Sequence, residues 1–272
     1  LSQSHTPRKR FGQNFLQDHE LIHKITRALR LQANQQLVEI GPGLGALTFA
    51  VLATGAQLTA IEIDIDLVNY LNKKALKLPT AQQFNLIEAD ALTFDFSQLI
   101  SSNHKLKIFG NLPYNISTPL LFHLMQYLDH IQDMTFMLQK EVIQRICATP
   151  HSKEYGRLSI MLQYYCYTQA GFDIPPHSFY PQPKVMSSLV HLTPRPVAQR
   201  VLNRSELSLF QQLVATAFSA RRKTINNALK TWGAKINWAS LGINPQARPE
   251  NISGHQFVQL TQHIAQHTLP NP

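Results

Sequence analysis

Residues 36–45 read Gln36-Leu37-Val38-Glu39-Ile40-Gly41-Pro42-Gly43-Leu44-Gly45. A short, mostly apolar run that ends in a glycine loop describes a buried strand followed by a sharp turn. Leu44 to Ala53 then has the texture of a helix, and Gln57–Ile61 that of a second strand. Strand, glycine loop, helix and strand make one βαβ unit. Its two strands run parallel, and its helix covers a sheet face.

The same alternation continues outward. Ile65–Leu76 reads as a helix, and Phe84–Ala89, Lys105–Phe109, Met134–Leu138, Leu162–Thr168 and Val185–Leu192 read as strands. Helices fit Pro119–Leu128 and Lys140–Thr149. The rhythm predicts an α/β fold of the Rossmann-like kind, an open and mostly parallel sheet with helices on both faces. The last two strand runs have no helix-length pattern between them, so they are expected to form an antiparallel edge. Thr193-Pro194-Arg195-Pro196 reads as a linker, because its prolines restrict the backbone and remove donors. Beyond it, Leu209, Leu213 and Ala217 recur at helical spacing after Ser205, and Ile225–Trp232 and His255–Ile264 are further helices. The expected division is a catalytic domain over 1–194 and a small all-helical domain over 195–272.

Composition narrows the class. The chain has 272 residues, of which 44% are hydrophobic, enough for a sizeable core and against disorder. Two cysteines, Cys147 and Cys166, cannot build a disulfide framework and point to a reducing compartment. The long uncharged stretch Gly41 to Ile61 carries Pro42, glycines and threonines and does not read as a membrane span. The N-terminal residues are polar with no apolar core, so no signal peptide is expected and a cytoplasmic location is. The net charge is +9, unevenly placed. Residues 1–30 hold six basic and two acidic residues, net +4. Residues 31–173 hold nine and twelve, net −3, and residues 174–272 hold ten and two, net +8. A weakly acidic middle between basic ends suggests a small-molecule site flanked by surfaces that meet a polyanion.

The glycine loop favours a nucleoside ligand. Its spacing is G-x-G-x-G and not the G-x-G-x-x-G of dinucleotide sites, and Pro42 stiffens it. Glu62 ends the next strand about 20 residues on, where an acceptor for a ribose diol belongs. Glu39 would repel a phosphate but suits a cationic amino-acid moiety. This charge logic favours S-adenosylmethionine over a nicotinamide dinucleotide, although the loop by itself is also compatible with an ordinary βα turn. Asp90 follows the third strand; it fits a turn former, or an acceptor for the amine of a bound adenine.

Asn111-Leu112-Pro113-Tyr114 lies just past the strand Lys105–Phe109. Methylating an exocyclic adenine amine requires freeing a lone pair that is delocalised into the ring. Two acceptors on the two amine hydrogens do this by favouring a tetrahedral nitrogen. Asn111 Oδ1 and the Leu112 carbonyl suit that role, Pro113 fixes the chain between them, and Tyr114 offers a π-face to an extracted base. The plainer alternative is an Asn-x-Pro turn with a core tyrosine.

These residues resemble the N-[LIP]-P-[YF] signature of adenine amino-methyltransferases, and the whole chain resembles the ribosomal RNA adenine dimethyltransferase family. Lys9 to Leu16, Glu39 to Thr48, Glu62, Asp90 and Asn111–Tyr114 follow the family's order. Phe179-Tyr180-Pro181-Gln182-Pro183-Lys184-Val185 and Phe218-Ser219-Ala220-Arg221-Arg222-Lys223-Thr224 resemble its later motifs. The resemblance implies that Asn14, Leu16, Gly41, Glu62, Asp90 and Asn111 line an S-adenosyl-L-methionine site. It also implies that Phe179 sandwiches the target base against Tyr114. It implies dimethylation of two adjacent adenines near the 3′ end of 16S rRNA in the small ribosomal subunit. The basic Arg221-Arg222-Lys223 run and the full helical domain favour that reading over the 23S resistance type.

Arg8, Lys9 and Arg10, with Arg221, Arg222 and Lys223, are expected to contact RNA. The histidines and cysteines show no metal-ligand spacing, so no metal is expected. The chain is expected to act as a monomer without a membrane. Two other readings stay open: a non-catalytic RNA-binding assembly factor on the same fold, and a nucleotide-dependent dehydrogenase. The loop spacing and Asn111–Tyr114 count against the second.

Overall fold

The computed structural model describes residues 8, 12–32, 35–101 and 104–267. The chain divides into two compact units, residues 1–143 with 169–194 and residues 144–168 with 195–272. A break falls between Pro194 and Arg195, and the segment 144–168 groups with the C-terminal helices.

In chain order the elements begin with β1 (Phe15–Leu16), α1 (His19–Ala28), β2 (Gln36–Ile40), α2 (Ala46–Leu52), β3 (Leu58–Glu62), α3 (Ile65–Ala75) and β4 (Phe84–Glu88). Next come β5 (Leu106–Asn111), α4 (Ser117–Leu124), β6 (Ile131–Gln139), α5 (Lys140–Ile146), α6 (Arg157–Tyr165) and β7 (Cys166–Ile174). β8 (Phe179–Tyr180), β9 (Ser187–Pro194), α7 (Arg204–Ser219), α8 (Ile225–Ala228) and α9 (Gly254–Gln266) complete the described chain.

The main sheet has the order β4-β3-β2-β5-β6-β9-β7. Strands β4, β3, β2, β5 and β6 pair in parallel, and β9 joins β6 antiparallel, with Phe136 opposite Val190. From β2 the chain steps outward through β3 to β4, then returns to the other side of β2 as β5. Strands β2 and β5 therefore flank the point where the winding reverses. In open α/β sheets the crevice at the carboxyl ends of such a pair receives the ligand. The glycine loop leaves β2 there, and Asn111–Tyr114 leave β5 there. Behind the crevice lies a core of Ile25, Leu29, Val51, Leu52 and Phe109, each almost fully buried. Full burial of one such large side chain contributes about 1.5–3 kcal/mol.

In the second unit, α7 and α9 bury Phe210, Leu213, Val214, Phe257, Leu260 and Ile264. Both helices start with a capping box. Asn203 accepts from Glu206 N at 3.0 Å while Glu206 Oε2 accepts from Asn203 N at 2.9 Å. Ser253 and Gln256 do the same for α9. No helix among the described residues is long and apolar enough to cross a membrane.

Several expectations need correction. The run Leu162–Thr168 is not one strand: α6 continues to Tyr165, and β7 starts only at Cys166. Helix α6 buries six of its nine residues, and a helix buried around most of its girth reads like a buried strand. Strand β9 starts at Ser187, not Val185, and runs to Pro194. The α7 cap is Asn203, two residues before Ser205. Only Ile225–Ala228 of the expected Ile225–Trp232 helix is α-helical; a 3₁₀ turn over Lys230–Lys235 follows. Helix α1 and the two-residue ladder of β1 with β8 were not anticipated.

Candidate active site

The crevice at the ends of β2 and β5 holds an open cavity of about 1170 Å³, counted with its mouth. Asn14, Leu16, Gly41, Glu62, Asp90, Asn111, Leu112, Pro113 and Tyr114 all line it, so the fold brings the expected cofactor and chemical residues into one space. Phe179 is placed differently. It is 4% exposed and belongs to the core cluster with Leu16 and Ile174.

The glycine loop is shaped by close approach. Gly43 has φ +58°, and a Cβ there would lie 2.9 Å from the Phe15 ring. A side chain at 43 would push β1 away from the cavity it lines. On the far wall, Gly12 has φ +60°, and a Cβ there would come within 3.0 Å of Asn115 Oδ1. The N-terminal strap, residues 12–16, thus lies directly against the Asn111–Asn115 loop.

Glu62 ends β3 with its carboxylate held by backbone donors. Oε1 accepts from Ile63 N and Asp64 N, each at 3.0 Å, and Oε2 accepts from Gly43 N at 3.3 Å. A carboxylate has about four acceptor positions, so capacity remains for a ligand hydroxyl. Burial pushes its pKa up, while the N–H donors pull the other way. Glu39, 2% exposed at the end of β2, accepts from Thr48 Oγ1 at 2.6 Å. Burial pushes the Glu39 carboxyl up to about 8; the Thr48 bond opposes the shift and the nearby Glu62 charge adds to it. Asp90 Oδ1 accepts from Leu92 N at 2.9 Å, an Asx turn at the edge of the cavity.

Asn111 is oriented from the strap. Its Nδ2 donates to the backbone carbonyl of Asn14 at 2.8 Å. With the amide nitrogen committed, Oδ1 is defined as the free acceptor end of the group. Leu112 N donates to Met137 O at 3.2 Å, which ties the loop to β6. Ser117 Oγ donates to Tyr114 O at 3.2 Å and turns the chain into α4.

The strap has its own anchor. The side chain of Asp64, 0% exposed, accepts from Arg8 Nη1 at 3.0 Å and from Gln13 Nε2 at 2.9 Å. Arg8 also pairs with Asp66, and Arg8 N donates to Gln13 Oε1 at 2.7 Å. The sequence reading did not single out Asp64, which looks like an ordinary cap for α3, and it gave no individual role to Gln13 or Thr48 within their motif segments. Lys9 and Arg10 lie outside the described residues. Arg222 and Lys223 are exposed at the end of α7, whereas Arg221, though exposed, donates to Lys153 O at 2.8 Å and Tyr155 O at 3.2 Å. Among the described residues, no three of His, Cys, Asp or Glu gather as metal ligands would.

Comparison with known proteins accords with this geometry. Residues 4–266 match the family model described as ribosomal RNA adenine dimethylase. A "Ribosomal RNA small subunit methyltransferase A" of Legionella pneumophila (strain Corby) is 51% identical, covering 96% of this chain and 99% of that one. The protein of the same name from Hahella chejuensis is 46% identical, covering 98% and 96%. Among solved structures, a dimethyladenosine transferase from Plasmodium falciparum superposes with a TM-score of 0.77 at 23% identity. It covers 93% of this chain and 98% of that chain, and it shows the shared fold.

Proposed function

The chain belongs to the ribosomal RNA adenine dimethylase family, and from that premise we propose that it dimethylates two adjacent adenines near the 3′ end of 16S rRNA during small-subunit assembly. S-adenosyl-L-methionine is the methyl donor. The observation that carries the reading is the convergence of the Gly41–Gly45 loop, Glu62 and Asn111 on one cavity at the winding reversal.

The residues present fit the cofactor. Glu62 retains acceptor capacity for a ribose diol, Asp90 suits an adenine amine, and Glu39 supplies a buried acid that a cationic group would ionise. When bound, the cofactor supplies an electrophilic methyl group on a sulfonium. Asn111 Oδ1 and the Leu112 carbonyl accept from the two hydrogens of the target amine and hold its lone pair toward that methyl. Pro113 keeps both acceptors on one side, and Tyr114 provides the face on which the base rests. Positioning and electrostatics lower the barrier, and no strong base is required. Phe179 takes part as the second face of the base sandwich if its ring leaves the core cluster when RNA binds.

Lys9 and Arg10 with Arg222 and Lys223 form the phosphate-contacting ends, and the C-terminal helical unit is the RNA-binding domain. Arg8 and Arg221 are engaged within the protein, Arg8 with Asp64 and Arg221 with the Lys153 and Tyr155 carbonyls. The protein works as a cytoplasmic monomer without a metal. A methyl-transfer assay with labelled cofactor and immature small subunits tests the reading. Incorporation into 16S rRNA is expected; tight binding without incorporation would favour an assembly factor, and incorporation into 23S rRNA would favour the resistance type.

A further inference from the structure

We propose that Ser187 is a positioning residue for the base platform: its hydroxyl holds that of Tyr114 and so fixes the ring on which the target adenine rests. The inference rests on the methyl-transfer reading and adds a residue to it.

Ser187 Oγ and Tyr114 Oη lie 2.7 Å apart, a hydrogen bond between residues 73 positions apart in the chain. Ser187 is 1% exposed and opens β9, opposite Gln139 of β6. The neighbouring Met186 carbonyl accepts from Lys140 N at 2.9 Å. The serine hydroxyl is therefore mounted on a sheet ladder with little freedom. Tyr114 is half-buried in a loop whose backbone is tied by the Leu112 N bond to Met137 O and by the Ser117 Oγ bond to Tyr114 O. A ring fixed at one end still rotates about χ1, and a stacking platform must hold one plane. The bond at the far end of the phenol removes that freedom. Burial pushes the phenol pKa up, so the hydroxyl keeps its proton. The bond also joins the start of β9 to the Asn111–Tyr114 loop.

The test is a double-mutant cycle on the full-length protein, with kcat for methyl transfer to small subunits and cofactor Kd measured for each variant. Ser187→Ala and Tyr114→Phe are each expected to lower kcat roughly three- to tenfold, the range of one neutral hydrogen bond. The double variant is expected to fall no further than the worse single one, with cofactor Kd unchanged throughout. Losses that multiply, a wild-type kcat in Ser187→Ala, or a weakened cofactor Kd in parallel with kcat would each overturn the proposal. If Ser187→Ala does not fold, Tyr114→Phe decides alone, and an unchanged kcat counts against it. A wild-type protein that transfers no methyl to small subunits would instead defeat the functional reading itself.

Discussion

The side-chain amide of Asn111 is oriented by the backbone carbonyl of Asn14, 97 residues earlier in the chain, through a 2.8 Å hydrogen bond. The N-terminal strap thus does more than wall the cavity, because it selects which end of the Asn111 amide is free to accept. Replacing Asn111 with Asp keeps the shape but sets a carboxylate oxygen against the Asn14 carbonyl. We expect both Asn111→Asp and Asn111→Ala to lower kcat by about 10²–10³, the scale for losing one positioned polar group. RNA affinity should stay near wild type in a filter-binding measurement. An equal loss of RNA affinity would count against the role assigned to Asn111.

The Asp64 carboxylate anchors the strap through Arg8 and Gln13. Asp64→Asn preserves a cap for α3 but removes the charge that Arg8 pairs with. We expect cofactor affinity to fall about tenfold in Asp64→Asn and Arg8→Ala, a loss of about 1.4 kcal/mol. Titration calorimetry measures this directly. An unchanged cofactor affinity with weakened RNA binding in Arg8→Ala would place Arg8 on the RNA surface instead.

Glu39 gives the empty protein a pH signature. Its pKa is raised from 4.5 to about 8, first by burial. The folded state holds this proton more tightly than the unfolded state. The contribution to stability is therefore present in full below 4.5 and lost by the time the pH passes about 8. The slope is at most about 1.4 kcal/mol per pH unit over that window. Glu39→Gln should remove this component from a plot of unfolding free energy against pH. A cationic cofactor favours the ionised carboxyl, so binding near pH 7 should release a proton from the wild type that Glu39→Gln does not release. Calorimetry in buffers of different ionisation enthalpy detects the difference, and identical proton release by the two proteins would contradict it.

Three adjacent cations at the end of α7 should behave differently. Arg221 donates to two carbonyls, so Arg221→Ala should lower the melting temperature by a few degrees. Arg222→Ala and Lys223→Ala should leave stability near wild type and each reduce the salt slope of RNA binding by about 1. Salt titrations of affinity beside thermal melts separate the two behaviours. An unchanged slope would remove Arg222 and Lys223 from the interface.

The sheet was readable because β2, β3 and β5 are buried runs closed by glycine or polar turns, which leave a strong local pattern. That the candidate residues at the ends of these strands would share one crevice was readable for the same reason: parallel topology gathers carboxyl ends there. Elements without a period were not. β1 and β8 have two residues each and exist only through their mutual pairing. Helix α6, buried on most of its surface, lost the alternation that marks a helix. The contacts that orient the chemistry were hidden too. The Asn14 carbonyl leaves no side-chain signature, and Ser187 is one of two adjacent serines with nothing local to mark its partner Tyr114.

Mass analysis of the 3′ fragment of 16S rRNA, after immature small subunits are incubated with the protein and labelled S-adenosyl-L-methionine, tests the central claim most directly. We predict two methyl groups on each of two adjacent adenines, and none when Asn111→Ala is used at the same concentration. An unlabelled fragment from a wild-type protein that binds the subunit, or label equal in wild type and Asn111→Ala, would contradict it.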